Sequence, residues 1–440
     1  MAHGGGTWLT QNKVMPGTYI NFSSLAKASA ALSDRGIVAA PLELNWGPES
    51  TIMALTLGDF QKNCKVLFGY DFDAAEMLPL RELFCHAVKA YIYRLGSGAT
   101  KAACTYATAK YGGTRGNALK IVIAANVDDN TKFDVSTYLG TELVDIQIGV
   151  ASAAGLVSND YVDFISTATL AVTSGASLSG GTNATINGTA HSNFLAAIEP
   201  YAYNALCCPA SDSTTVALYS AFAKRVRDEL GAKFQLVAWQ AAADYEGVIG
   251  VWNTATHKSI QSIPSHSLVY WVAGAQAGVA VNKTLTNAKY DGELTVDVSH
   301  TQAQLEAAIL AGKFMLHNVN GTVRVLEDIN SLVTLSDEKG EVFQSNQTMR
   351  VCDQIANDVA VVFNTRYIGL VPNDASGRAT LWGDVVKLIK ELERIRAVEN
   401  FDPDTVIVTI GENKKSVVLT VNGLNVINAM SQLYMSVIIQ

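Results

Sequence analysis

The sequence predicts an α+β chain of several domains, and three observations carry this. Its 440 residues exceed what one hydrophobic core serves, so roughly two to four domains are expected. Short β-prone runs between turn residues fill residues 99–185, the pattern of a small β-sandwich. Strands then alternate with helices, as in a parallel α/β sheet, before two long helices and two strands form a C-terminal α+β part.

Residues 1–25 read as an N-terminal arm: a glycine-rich lead followed by a β-prone stretch, Thr18 to Phe22. Residues 26–98 form an N-terminal α+β region. Ile37 to Ala40 and Ala90 to Leu95 are its strands, Leu80 to Val88 its helix, and Gly96-Ser97-Gly98 breaks the pattern. In the sandwich region, 99–185, Lys120 to Ala124, Phe133 to Tyr138, Glu142 to Val150 and Ala168 to Val172 are strand-like. The low-complexity run SGASLSGGTNATINGT then reads as a loop or boundary. The α/β domain, 186–340, has a helix at Asn193 to Tyr201 and a strand at Asn204 to Cys208. Asp212 or Ser213 caps a helix from Thr215 to Leu230, which Gly231 stops; strands Phe234 to Trp239 and Gly247 to Trp252 follow. The C-terminal α+β domain, 341–432, holds helices Gln347 to Phe363 and Leu381 to Val398, then strands Thr405 to Ile410 and Ser416 to Asn422 around a turn at Gly411-Glu412-Asn413. Leu433 to Gln440, LYMSVIIQ, is a C-terminal arm strand, apolar and uncharged.

Neither arm can build a core alone, and free termini of this kind fray. Their composition suggests docking, most simply onto another copy of the chain by adding a strand to a sheet edge. Pairing within the same chain is the alternative.

Hydrophobic residues make up 49% of the chain and charged residues 16%, against roughly a quarter in an ordinary soluble domain. So little polar cover implies surface buried against partners. A net charge of −8 argues against nucleic acid as a partner. No basic segment followed by an apolar run marks a secretory signal. The longest near-candidate for a membrane span, Trp271 to Val281, is interrupted by Gly274, Gln276 and Gly278. The six cysteines are scattered without a CxxC pair, and read as reduced, mostly buried residues of a protein made in the cytoplasm.

Signals for chemistry are weak. His3-Gly4-Gly5-Gly6 has the form of an oxyanion loop, but no GxSxG accompanies it. Gly96 to Lys101 fails the spacings of both phosphate-binding loops. None of the seven histidines has an HxH or HxxxH partner, so no metal is expected. A triad converging in space stays open, without local support. No catalytic residue and no cofactor is assigned.

The helix Gly383 to Val398 says more. Val385, Leu388, Ile389, Leu392 and Ile395 form an apolar face, with Lys387, Lys390 and Arg394 as a basic stripe beside it. A solvated face is the usual role of such a stripe. The other reading is a docking face for an acidic partner.

Several motifs in order resemble one family. They are Gly6-Thr7-Trp8 with Asn12 to Phe22, Tyr111-Gly112-Gly113-Thr114-Arg115-Gly116-Asn117, and Leu178-Ser179-Gly180-Gly181-Thr182. Trp271-Val272-Ala273-Gly274 with Ala277-Gly278 follows, then Arg350, Asp353-Gln354-Ile355, Tyr367-Ile368-Gly369, and Asn373 through Gly377-Arg378. The chain resembles, over essentially its whole length, the tail sheath proteins of contractile phage tails and phage-derived bacteriocins, of the short type in Gram-positive prophages.

The resemblance implies a subtilisin-like α/β domain without protease activity. It also implies stacked six-membered rings around an inner tube, and contraction that drives the tube through a cell envelope. Partners would be the chain itself, the tail-tube protein, and baseplate and tail-terminator proteins. The chain would reside in a virion or tail-like particle assembled in the host cytoplasm, with no nucleic acid bound and no membrane insertion. Terminal arms would pass to neighbours and complete their sheets. These map onto Thr18, Tyr19, Ile20, Asn21 and Phe22, and onto Leu433, Tyr434, Met435, Ser436, Val437, Ile438 and Ile439. Lys387, Lys390 and Arg394 are the candidate tube contact. A hydrolase built on the α/β domain and a static tubular protein are the rival readings.

Overall fold

A seven-stranded mixed sheet organises most of the chain, in a computed structural model that describes residues 32–439. The chain divides into two bodies, one of residues 34–356 with 426–439, the other of residues 357–425.

The sheet order is Lys313–Phe314, Val248–Val251, Gln235–Trp239, Ala205–Cys208, Ile37–Leu42, Lys89–Arg94, Ile52–Thr56. All pairings are parallel except that of the edge strand Ile52–Thr56, which runs antiparallel to Lys89–Arg94. The strands Ala205–Cys208, Gln235–Trp239 and Val248–Val251 are buried at every position. Parallel strands covered on both faces need such continuous runs rather than alternation. Val38, Ala40, Cys207 and Val237 enter one core with helices α1 (Leu57–Phe68) and α2 (Leu78–Phe84). Ala39, Leu206, Cys208 and Leu236 enter the other with α3 (Gly188–Ile198) and α4 (Ser213–Arg225). Asp212 caps α4 by accepting the Thr215 N–H at 2.8 Å. The helix loosens into a π turn at Val226–Leu230 and stops at Gly231, whose φ of 82° is left-handed.

Helix α5 (Leu268–Gly278) is buried from Leu268 to Ala277, which explains the near-membrane hydropathy of that run. Its interrupting glycines have a packing reason. A Cβ at Gly274 would lie 2.2 Å from the Leu83 carbonyl, and one at Gly278 2.2 Å from that of His86. Helix α6 (Gln302–Leu310), opened by a Thr301/Gln304 capping box, precedes the last sheet strand.

The sequence reading separates residues 26–98 from 186–340, yet one sheet contains both: Val38 pairs with Ala205 and Ala39 with Leu206. Parallel pairing is a long-range choice, and the strand sequences carry no record of it. Between them the chain makes a β-sandwich. One layer is Thr173–Ser177, Leu119–Ala125, Phe133–Leu139 and Glu142–Val150; the other is Lys101–Ala103, Ala107–Gly112 and Val162–Phe164. Leu119, Ile121, Ile123 and Val135 pack against Ala107, Ala109 and Val162.

Two expectations shift here. Ala168 to Val172 is irregular, and the strand lies at Thr173–Ser177, running into the low-complexity run. That run also bridges Ala103 through Ser179 and Thr100 through Thr182. Backbone hydrogen bonds, which need no apolar side chain, place it there.

Arg94 joins sandwich and sheet. It is fully buried and donates to the carbonyls of Leu44 at 3.0 Å, Gly47 at 2.7 Å and Gly112 at 2.9 Å. Next to it, a side chain at Gly113 (φ 127°) would meet the Asn45 carbonyl at 2.0 Å. Arg115 donates to the Gly69 carbonyl at 2.7 Å and stacks on Tyr70. The motif Tyr111 to Asn117 is thus a joint between layers.

The second body is reached within helix α7 (Asn346–Arg366). It contains α8 (Ala375–Arg394) and the hairpin Val406–Ile410/Val417–Val421. Asp374 caps α8, whose buried face includes Leu381, Val385, Leu388, Ile389 and Leu392. Tyr367 Oη donates to Asp384 at 2.5 Å, and Arg366 pairs with the same carboxylate at 2.8 Å. The Asn373 amide donates to the carbonyls of Lys414 and Ser416, tying the loop before α8 to the hairpin turn.

Replacing Arg94 with Met leaves buried carbonyls without a donor. The expected loss is about 3 kcal/mol of stability, read as a lower urea midpoint.

Candidate assembly interface

The first turns of α7 carry an unusual density of buried polar groups. Asp328 is almost wholly enclosed, and its carboxylate accepts from Arg350 Nη2 at 2.7 Å, Gln276 Nε2 at 2.7 Å, Asn346 Nδ2 at 3.0 Å and the Leu285 N–H at 2.9 Å. Burial would raise this carboxyl, but Arg350 and the converging N–H donors hold it below the ordinary value. One turn on, Asp353 takes a bidentate pair from Arg227, both contacts at 2.8 Å. Arg350 and Asp353, quoted above for their resemblance, therefore bolt α7 to the sheet body.

The same turn holds the segment that leads to the C-terminal arm. The Gln347 side chain bonds the backbone of Ile427 and Ala429, both at 3.0 Å. Past this point the chain is extended and bare. Leu433, Tyr434, Met435, Val437, Ile438 and Ile439 are each more than two-thirds exposed, and Ser436 is exposed with them. Among the described residues, the run Met430–Ile439 joins no strand. Isolated exposed apolar residues are ordinary; an unbroken run is not. The N-terminal candidates Thr18, Tyr19, Ile20, Asn21 and Phe22 lie outside the described residues.

The basic stripe lies in the second body. Lys387, Lys390 and Arg394 are exposed on α8, opposite its buried face. Arg394 is engaged by Glu391, with Nε at 2.9 and 3.0 Å from the carboxylate oxygens. That hydrogen bond holds the Glu391 carboxyl below its ordinary value. Among the described residues, Lys387 and Lys390 form no ion pair.

The reading from sequence missed a feature of the hairpin. Among the described residues it is a sheet of only two strands, with no further strand on either edge. Ile407, Ile410 and Val418 on it are about half exposed. The alternating TVIVTI and SVVLTVN runs signal two strands, but nothing in them reports how many neighbours each strand has.

The buried histidine of the sheet body, His191, places Nδ1 2.9 Å from Tyr219 Oη, and burial lowers its pKa. Among the described residues, no cluster of three or more His, Cys, Asp or Glu is arranged to hold a metal ion, and no helix is long and apolar enough to cross a membrane.

Comparison with known proteins gives a consistent set of matches. Residues 35–95 match the tail sheath protein Gp18 domain III N-terminal region, and 96–183 the phage tail sheath protein beta-sandwich domain. Residues 184–331 match the phage tail sheath protein central domain, and 338–440 the phage tail sheath C-terminal domain. The phage-like element PBSX protein XkdK of Bacillus subtilis (strain 168) is 33% identical over 434 residues, covering 91% of this chain and 92% of the relative. The crystal structure of a sheath tail protein from Desulfitobacterium hafniense is 37% identical with a TM-score of 0.80, covering 89% of this chain and 93% of that one. The helical sheath of the anti-feeding prophage in its contracted state shares the fold, with a TM-score of 0.57 at 14% identity, covering 97% of this chain and 99% of that one.

Asp328→Ala leaves Arg350 buried without its partner, and about 3–5 kcal/mol of stability should be lost. The pH dependence has a definite sign. A carboxyl held below its unfolded value stabilises the native state above about pH 4, and the contribution is lost as the pH falls through the lower folded value. Asp328→Asn should therefore flatten the acid limb of a stability–pH curve.

Proposed function

This chain belongs to the phage tail sheath family and is a structural tail subunit, and from that premise we propose how it assembles and works. It polymerises as stacked six-membered rings around the tail tube, each subunit lending its arms to neighbours. The single observation that carries this reading is the exposed, uncharged run Leu433–Ile439, which among the described residues joins no strand. Burying so much apolar surface on a partner is favourable, and an extended segment is best paired at a sheet edge. The hairpin Val406–Ile410/Val417–Val421, two-stranded among the described residues, supports the receiving role, because two strands alone are marginal and a third completes the sheet. On this reading Thr18 to Phe22 supply a further strand.

Contacts that repeat head to tail without closing generate a helical array. Such an array can hold two packings of similar energy, one extended on the tube and one contracted. Exchanged strands keep their backbone hydrogen bonds while the rigid bodies slide. Lys387, Lys390 and Arg394 serve as the tube-facing grip. Exposed charges bind weakly and are screened by salt, so release during contraction costs little. The subtilisin-like plan implied by the resemblance acts as scaffold only, since function lies in sites and not in folds. Baseplate and tail-terminator proteins would bound the array at its two ends, in a phage or phage-like particle assembled in the host cytoplasm.

Negative-stain electron microscopy of the purified chain should show hollow striated tubes, and tubes of a single diameter under every condition would argue for a static polymer. Deleting Leu433 to Gln440 should leave a folded chain that no longer polymerises; normal tubes would remove arm exchange. Reversing Lys387, Lys390 and Arg394 to Glu should weaken tube binding by about tenfold at low salt while sparing sheath–sheath assembly. Unchanged tube binding would return the stripe to a solvated face.

A further inference from the structure

Helix α7 begins by gripping the chain just before the exposed run starts. Gln347 is only 3% exposed. Its Oε1 accepts the Ala429 N–H at 3.0 Å, and its Nε2 donates to the Ile427 carbonyl at 3.0 Å. The side-chain amide thus bonds residues 427 and 429, as the N–H and C=O of one residue in a parallel neighbouring strand would. Nε2 also donates to the Asn282 carbonyl at 3.2 Å, and this fixes the amide's orientation: turned over, Oε1 would face two carbonyls. Between the two anchor points, Asn428 Oδ1 accepts from Thr348 Oγ1 at 3.1 Å and from Ser345 Oγ at 3.4 Å. The grip then ends abruptly, because Met430 is fully exposed.

We infer that Gln347 is the fixed root of the C-terminal arm and that Met430 to Gln432 is the hinge on which the arm swings. The inference rests on arm exchange as proposed above. Every group in the root is neutral, so the root is neither screened by salt nor titrated across the pH range in which charged surfaces loosen. The arm would be anchored at one end by this root and at the other by its strand pairing in the neighbour. The rotation between sliding bodies must then be taken up by the few residues between them. A fixed root also narrows the directions in which the arm can leave, which lowers the ordering cost of assembly.

Gln347→Glu removes both donors and sets a carboxylate against two carbonyls. Ala429→Pro removes the matching N–H from an exposed residue and leaves the body's core untouched. In the monomeric chain, the Ala429 amide should exchange about tenfold faster in Gln347→Glu than in wild type. Ala429→Pro should keep the wild-type urea midpoint of the body, Gln347→Glu should lower it, and both should need about tenfold more protein to form tubes. Equal Ala429 exchange in the two chains, or tubes from both variants at the wild-type concentration, would overturn the root. The deletion of residues 433–440, run in parallel, separates the two claims. A deletion that fails to assemble while both point variants assemble normally overturns the root alone, whereas a deletion that assembles normally removes arm exchange and the hinge with it.

Discussion

The buried ion pair of Asp328 with Arg350 is the constraint on which the lower part of the main body depends. A buried carboxylate is tolerated when its oxygens are paired and hydrogen-bonded. Asp328 meets that demand by drawing Gln276 from α5, Asn346 and Arg350 from α7 and the Leu285 amide from the intervening loop onto one carboxylate. The start of α7 is therefore fixed in position, and with it the Gln347 grip on residues 427–429. Arg227 and Asp353 repeat the arrangement one turn later.

Arg94 plays the corresponding part where the sandwich meets the sheet, with the Glu49 carboxylate 3.8 Å away rather than in hydrogen-bond contact. Three backbone carbonyls take its N–H groups, so the joint depends on where the chain turns rather than on which side chains it carries. Both joints set rigid blocks against each other with directional bonds that give little under load. The exposed run Leu433–Ile439 contrasts with them: it is apolar and, among the described residues, joins no sheet.

Local structure was largely legible. The runs at Lys120–Ala124, Glu142–Val150 and Phe234–Trp239, the cap at Asp212 and the stop at Gly231 all appear where periodicity and capping chemistry put them. Helix α1 was missed although Thr56 and Asp59 form a full capping box, because it follows the strand Ile52–Thr56 without a break. The strand at Thr173–Ser177 was missed because serine and glycine carry no apolar pattern, and its pairing is entirely backbone. Of the candidate site, the uncharged C-terminal run and the basic stripe could be seen in the residues themselves. Gln347 could not, since an isolated glutamine at the start of a helix looks like any other.

By itself the sequence determined most element types, the family membership written in ordered motifs, and the presence of an apolar, uncharged run at the C-terminus. These are properties of composition and short-range spacing, which a chain carries whether folded or not. Only the tertiary structure decided that residues 37–94 and 205–314 share one sheet, that the hairpin at 406–421 is two-stranded among the described residues, and that Arg350, Asp328 and Gln347 act together at the foot of one helix. Those relations join residues far apart in the chain through directional hydrogen bonds, and each partner taken alone is an ordinary polar residue.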